Sequence, residues 1–194
     1  GTIVTGYELT QNFVSIVTGT PQNDILQGTN FADVMDGRAG NDRIKGLNGN
    51  DVLIGGPGND ILDGDAGSDR YVYNLGEGSD EIWEENGNPK DVNILEFGAG
   101  ILPTDVTMAK DVGGVCTLSI AGTTEQIKIY NWDIPQSPSS RIADGTIWNA
   151  AYMQSRLYPT TDGDSTILGT NDSDTLDGLG GNDEISAGYG QDFL

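Results

Sequence analysis

The stretch G-R-A-G-N-D-R-I-K-G-L-N-G-N-D-V-L-I-G-G-P-G-N-D-I-L-D, residues 37 to 63, is three nine-residue rows laid end to end. Each row reads G-x-x-G-N-D-x-U-x, where U is apolar. Working outward in the same register, Asp24, Asp33, Asp42, Asp51, Asp60 and Asp69 fall nine residues apart, and each is followed two positions later by Leu26, Met35, Ile44, Leu53, Leu62 or Tyr71. A nonapeptide period of this strictness predicts a parallel solenoid in which every row contributes a glycine turn and a short strand. Two rows make one flattened coil of eighteen residues, so turns on the same side belong to alternate rows.

Such a row buries only one or two side chains while fixing nine residues of backbone, and burial of that size does not offset the ordering. Stacked aspartates make matters worse by repulsion unless a cation lies between them. Coils stack at about 4.8 Å, the ordinary strand spacing, which lets carboxylates of rows n and n+2 reach one ion. The pairs are then Asp24 with Asp42, Asp33 with Asp51, Asp42 with Asp60, Asp51 with Asp69, and Asp60 with Asp80, or about five ions in this array. With turn carbonyls completing an all-oxygen shell and no soft or nitrogen donor on offer, Ca²⁺ fits better than Zn²⁺, Cu²⁺ or Mg²⁺. Glycine supplies the turn geometry. The asparagines at 23, 41, 50, 59 and 182, each preceding an aspartate, are the type that next best tolerates left-handed backbone.

Composition narrows the function further. Across 194 residues, thirty acidic against nine basic side chains give a net charge of −21, which disfavours nucleic acid and anionic membranes and favours cations. There is no histidine, which removes Ser-His-Asp chemistry and most zinc sites. The single cysteine, Cys116, alternates with Leu118 and Ile120 and reads as core. Adjacent acids such as Glu84 and Glu85, or Asp162 and Asp164, lack the spacing of a catalytic carboxylate pair. The chain is therefore expected not to be an enzyme. No apolar run approaches the length of a membrane span.

Four stretches separate along the chain. Residues 1–18 read as the tail of a preceding unit, and residues 19–83 form the array, with Asp80 its last member after a two-residue insertion around Tyr73 and Asn74. Residues 84–160 lose the period and predict a small antiparallel β unit, with strands at 91–97, 115–120 and 126–130 and one short helix at 148–157. From 161 to 194 the rows resume: Gly169 to Asp177 matches Gly28 to Asp36, which gives an internal period of 141 residues. Asp174, Asp183 and Asp192 occupy the aspartate place there. A chain starting at Gly1 and stopping inside a repeat reads as a fragment of a tandem array.

These rows resemble the G-G-x-G-x-D-x-U-x nonapeptides of the RTX, or haemolysin-type calcium-binding, proteins. That resemblance implies an all-β fold: a right-handed parallel β-roll, then the β unit, then the start of a second roll. It also implies ligation by the sixth-place aspartates and by turn carbonyls, which carry onto Gly37, Ala39, Gly46, Asn48, Gly55, Pro57, Gly64 and Ala66. Rows 19 and 28 depart from the pattern at Gln22 and Phe31, and row 169 at Asp172, so weaker sites are expected there. Residues 91–106, Asn131 with Trp132, and 143–148 are similar to a haemolysin-type calcium-binding-related domain that lies between such blocks. The implied setting is a bacterial protein, secreted by the type I route or held at the cell surface, adhesin or toxin-like, whose repeat units neighbour one another. A second reading takes Trp83, Tyr130, Trp132 and Trp148 as a carbohydrate-binding surface; ordinary burial in a core is the competing role.

Overall fold

The computed structural model describes residues 14–83, 91–110, 115–130, 140–141, 147–148, 166–168, 182 and 184–186. Eight short strands follow the rows: β1 (Ser15–Thr18), β2 (Ile25–Gln27), β3 (Asp33–Asp36), β4 (Arg43–Lys45), β5 (Val52–Ile54), β6 (Ile61–Asp63), β7 (Arg70–Tyr73) and β8 (Asp80–Trp83). Odd strands stack in one parallel sheet and even strands in another. Because side chains alternate along a strand, a three-residue strand turns one residue fully inward, at the eighth place, while the longer β7 also buries Tyr73.

Those residues stack in register. Val17 pairs with Met35, Met35 with Leu53 and Leu53 with Tyr71 in one sheet, and Leu26 with Ile44, Ile44 with Leu62 and Leu62 with Ile82 in the other. Met35, Ile44, Leu53, Leu62, Tyr71 and Ile82 are buried, with Val17 and Leu26 partly buried against them. The step from Leu62 to Ile82 absorbs the insertion at Tyr73 and Asn74 without breaking register.

Beyond the array come β9 (Ile94–Phe97), β10 (Val106–Lys110), β11 (Cys116–Ile120) and β12 (Gln126–Tyr130). An antiparallel unit is present as β10-β11-β12. Two of the predicted strands, however, also extend the roll. β9 runs parallel to β7, with Tyr71 opposite Leu95, and β12 runs parallel to β8, with Ile82 opposite Ile129. Strand alternation reveals an inward face but not the direction of the partner, so the sequence could not distinguish these pairings. Both sheets thus run across the composition boundary at residue 83.

This region supplies the wider part of the core. Phe97, Ile101, Val106, Leu118, Ile120, Ile127 and Ile129 are buried together, and Cys116 joins them as expected. β13 (Ser140–Arg141) and β14 (Ile147–Trp148) close one sheet, and β15 (Thr166–Leu168) pairs in parallel with β16 (Glu184–Ser186) at the eighteen-residue spacing of a coil. Of the expected helix at 148–157, Trp148 ends a strand and the rest lies outside the described residues. The helical geometry among the described residues is a 3-10 turn at Pro103–Asp105. No helix there is long and apolar enough to cross a membrane.

Candidate metal centre

Two hydrogen-bond ladders fix the turns. In the first, the backbone N–H of each sixth-place residue donates to Oδ1 of the aspartate one coil later: Asp24 to Asp42 at 2.8 Å, Asp33 to Asp51 at 2.8 Å, Asp42 to Asp60 at 2.7 Å, Asp51 to Asp69 at 2.8 Å and Asp60 to Asp80 at 2.9 Å. These bonds link the same residues that the row spacing pairs around an ion. The ladder goes one rung further than the sequence reading, since the N–H of Asp69 donates to Oδ1 of Asn93 at 2.8 Å. Asn93 stands two places before the inward Leu95, as Asp69 stands before Tyr71, and that offset was the available signal.

The second ladder runs the other way. The N–H groups of Asn41, Asn59, Ser68 and Ser79 donate to the side-chain Oδ1 of Asn23, Asn41, Asn50 and Asn59, each one coil earlier, at 2.8 to 3.0 Å. Left-handed tolerance is therefore not what these asparagines provide, because among the described residues none has positive φ. The left-handed positions are instead the fourth-place glycines Gly40, Gly49, Gly67 and Gly78, though not Gly58, and the second-place residues Arg38, Leu47, Gly56 and Asp65.

With Oδ1 bound to the previous coil, the second oxygen of each carboxylate decides the chemistry. Oδ2 of Asp42, Asp51, Asp60 and Asp69 is buried and has no hydrogen-bond partner. The four residues are 1 to 2% exposed. Each Oδ2 lies against the first-place glycine of its own row, Gly37, Gly46, Gly55 or Gly64, where a Cβ would collide with it. The carbonyls of Gly55 and Gly64 face the same spots at Gly37 and Gly46, 2.7 and 2.9 Å from where a Cβ would stand. A buried charged oxygen without a partner is costly, and a hard cation is the partner that an all-oxygen cradle suits.

The electrostatics agree with this reading. Burial, partly countered by the bond from the earlier coil's N–H and then reinforced by repulsion from that coil's aspartate, raises the Asp42 carboxyl. The same causes push Asp51 and Asp60 up to about 6, and Asp69 and Asp80 up to about 7. Glu77 and Glu125 add to the repulsion at Asp80. Among the described residues no three acidic side chains converge as a metal cluster, so the donors on offer are carboxylates from successive coils and main-chain carbonyls.

The other predicted residues fall into three groups. Pro57 and Ala66 have carbonyls that accept the N–H of Gly40 and Gly49 at 3.0 and 2.9 Å, which uses one lone pair of each. Asn48 bridges in parallel to Ala66, and its amide donates to Asn30 at 2.8 Å. Ala39 sits in the row 37 turn, half-buried. Asp24 and Asp33 differ from the rest: Thr20 donates both N–H (2.6 Å) and O–H (2.9 Å) to Oδ2 of Asp24, and Thr29 donates likewise to Oδ2 of Asp33 at 2.6 and 3.1 Å. Asp174, Asp183 and Asp192 lie outside the described residues. Of the aromatic set, Trp83 and Tyr130 come together as a stacked pair, centroids 4.1 Å apart, on the outer face of β8 and β12. Trp132 lies outside the described residues.

A parallel β-roll whose turns align carboxylates one coil apart, each with a buried open oxygen, defines a cation-binding solenoid. The chain belongs to the RTX calcium-binding nonapeptide repeat family, whose model matches residues 18–53, 36–71, 45–82 and 159–194, together about half of the chain. RTX repeats bind Ca²⁺, so this is a calcium-binding module. No curated protein matches the chain. Among solved structures, it is similar to the solution structure of the AlgE6R3 subunit from the Azotobacter vinelandii mannuronan C5-epimerase. That match has 25% identity and a TM-score of 0.43, covering 57% of this chain and 75% of that one.

Proposed function

We propose that this chain is a calcium-fastened structural module whose ions are held by Asp42, Asp51, Asp60, Asp69 and Asp80 with the turn carbonyls of Gly37, Gly46, Gly55 and Gly64. The observation that carries this reading is the row of four buried Oδ2 atoms without partners, repeated in register. Bound Ca²⁺ supplies the positive charge that offsets these carboxylates. The chain does the rest: N–H groups of one coil orient the carboxylates of the next, the asparagine ladder holds the turns at coil spacing, and the apolar stripe excludes water behind them.

A net charge of −21 keeps the metal-free chain expanded by self-repulsion, while calcium at extracellular levels drives it to fold. This behaviour suits a segment exported unfolded and folded outside the cell, within a larger secreted or surface protein built from such units. The role is structural rather than catalytic. Calcium titration of the full chain, followed by far-UV circular dichroism, is the test. A rise of β signal on adding calcium supports the proposal, and full β content in excess chelator overturns it.

The Trp83–Tyr130 pair favours a second reading, in which the outer face binds carbohydrate. Glu81 accepts bonds from Trp83 Nε1 at 3.2 Å and from the Tyr130 hydroxyl at 3.4 Å, so an acceptor for sugar hydroxyls stands beside the rings. Glycan quenching of Trp fluorescence that disappears in Trp83→Ala would support this reading, and its absence across a glycan panel would remove it.

A further inference from the structure

Rows 19 and 28 differ from rows 37, 46, 55 and 64 in one backbone feature. In the later rows the second-place residue has positive φ: Arg38 at 73°, Leu47 at 80°, Gly56 at 89° and Asp65 at 67°. In rows 37 and 64 its N–H bonds a residue other than the sixth-place carboxylate. The N–H of Arg38 donates to Oδ1 of Asp36 at 3.0 Å, and that of Asp65 to Oδ1 of Asp63 at 3.1 Å. In rows 19 and 28 the second place is Thr20 and Thr29, neither of which has positive φ. A β-branched residue resists that region because its Cβ substituents crowd the backbone. The N–H of each threonine instead points at Oδ2 of Asp24 or Asp33.

N–H and C=O of a trans peptide point in opposite directions. Turning the N–H of Thr20 and Thr29 toward the carboxylate therefore turns the carbonyls of Gly19 and Gly28 away from it. The hydroxyl adds a second donor to the same oxygen. The open carboxylate oxygen of a cation site is thus absent, although the next coil's carbonyls, those of Gly37 and Gly46, still lie 2.5 Å from where a Cβ of Gly19 or Gly28 would stand.

We propose that the second-place residue of each row decides whether that row's aspartate is a calcium ligand, and that Thr20 and Thr29 keep the first coil metal-free. The threonine donors take the position that a cation takes in later rows, so rows 19 and 28 satisfy their carboxylates without metal. Sequence extends the rule to the second array. Row 169 carries Thr170 at the position aligned with Thr29, whereas the next two rows carry Leu179 and Gly188. Asp174 is then closed, while Asp183 and Asp192 are ligands.

This inference rests on the calcium reading above, and the experiment separates the two. Calcium ions bound to the full chain are counted by native mass spectrometry for wild type, Asp33→Asn, Asp51→Asn, Thr29→Gly and Leu47→Thr. The expected result is a wild-type count for Asp33→Asn, a lower count for Asp51→Asn, a gain of one ion for Thr29→Gly and a loss for Leu47→Thr. A wild type that binds no calcium overturns the calcium reading itself. A wild type that binds calcium but loses an ion in Asp33→Asn overturns the threonine rule alone, as does a count unchanged in both Thr29→Gly and Leu47→Thr. Should Thr29→Gly fail to fold, the comparison of Asp33→Asn with Asp51→Asn still decides.

Discussion

Replacing Asp51 with Asn should change stability in opposite directions with and without calcium. Asp51 is 1% exposed, its Oδ1 accepts the N–H of Asp33 at 2.8 Å, and its Oδ2 is buried without a partner. Burial raises its carboxyl from 3.8 to about 6, so at pH 7.5 the folded, metal-free chain carries a charge that the unfolded chain carries more easily. Two pKa units correspond to about 3 kcal/mol, which falls to about 1 to 2 kcal/mol once solvent screening at the turn is allowed for. Asn keeps the Oδ1 acceptor and removes the charge, so in chelator the variant gains about that much. In calcium at a hundred times the dissociation constant, each lost site removes about 2.7 kcal/mol, which exceeds the gain. Urea unfolding, read by Trp fluorescence and far-UV circular dichroism, should place the Asp51→Asn midpoint above wild type in chelator and below it in calcium. Where the metal-free wild type is largely unfolded, the gain appears as extra β signal. A shift of the same sign in both conditions would refute the reasoning, because it would reduce Asp51 to a hydrogen-bond acceptor.

Other perturbations probe neighbouring steps. Asp42→Asn should raise the calcium concentration needed for folding more than Asp24→Asn, because Oδ2 of Asp42 is open while that of Asp24 is held by Thr20; equal shifts would contradict this. Gly46→Ala places a methyl group against Oδ2 of Asp51 and 2.9 Å from the Gly64 carbonyl, an overpacking worth about 1 to 3 kcal/mol, and a calcium titration should show roughly a tenfold weaker midpoint. Asn93→Ala strands the buried N–H of Asp69, which costs about 1 to 3 kcal/mol, and should lower the urea midpoint in calcium. Acid should favour the metal-free roll. Asp51, Asp60, Asp69 and Asp80 have folded pKa values raised from 3.8 to about 6 or 7, so their contribution is complete below about 3.8 and is lost as pH rises through 6 to 7. Circular dichroism in chelator should therefore show more β structure at pH 4.5 than at pH 7.5, and the reverse order would reject buried charge as the source of calcium dependence.

What the sequence made legible was the repeat of aspartates and inward apolar residues. The aspartate period gave the coil, the eighth-place residues gave the core stripe from Met35 to Ile82, and the pairing of alternate rows gave the rungs from Asp24–Asp42 to Asp60–Asp80. Features carried by a single residue outside the period were hidden. Asn93 extends the ladder, yet it follows Asp69 by twenty-four residues rather than eighteen, so only its offset from Leu95, and not the row period, pointed to it. The parallel pairing of β9 with β7 followed the same logic. The asparagine ladder was missed for a different reason: conformational tolerance and side-chain acceptance both suit Asn, and only the observed φ values and the bond from Asn41 N–H to Asn23 separate them.

The direction of the two ladders bears on how the roll assembles. A carboxylate is oriented by an N–H of the coil before it, so Asp42 is in place only once the backbone at Asp24 is, and Asp60 only once Asp42 is. The asparagine of the earlier coil meanwhile waits for an N–H of the later one. Each interface between coils therefore forms as a unit, and stability accumulates through nearest neighbours, as in other repeat architectures. Among the described residues no N–H of an earlier coil donates to Asp24 or Asp33, whose donors are Thr20 and Thr29. These threonines act from within their own rows, which lets Asp24 and Asp33 meet Asp42 and Asp51 before any cation is engaged. The two rows that depart from the repeat at Gln22 and Phe31 are on this account metal-independent rungs rather than degraded sites.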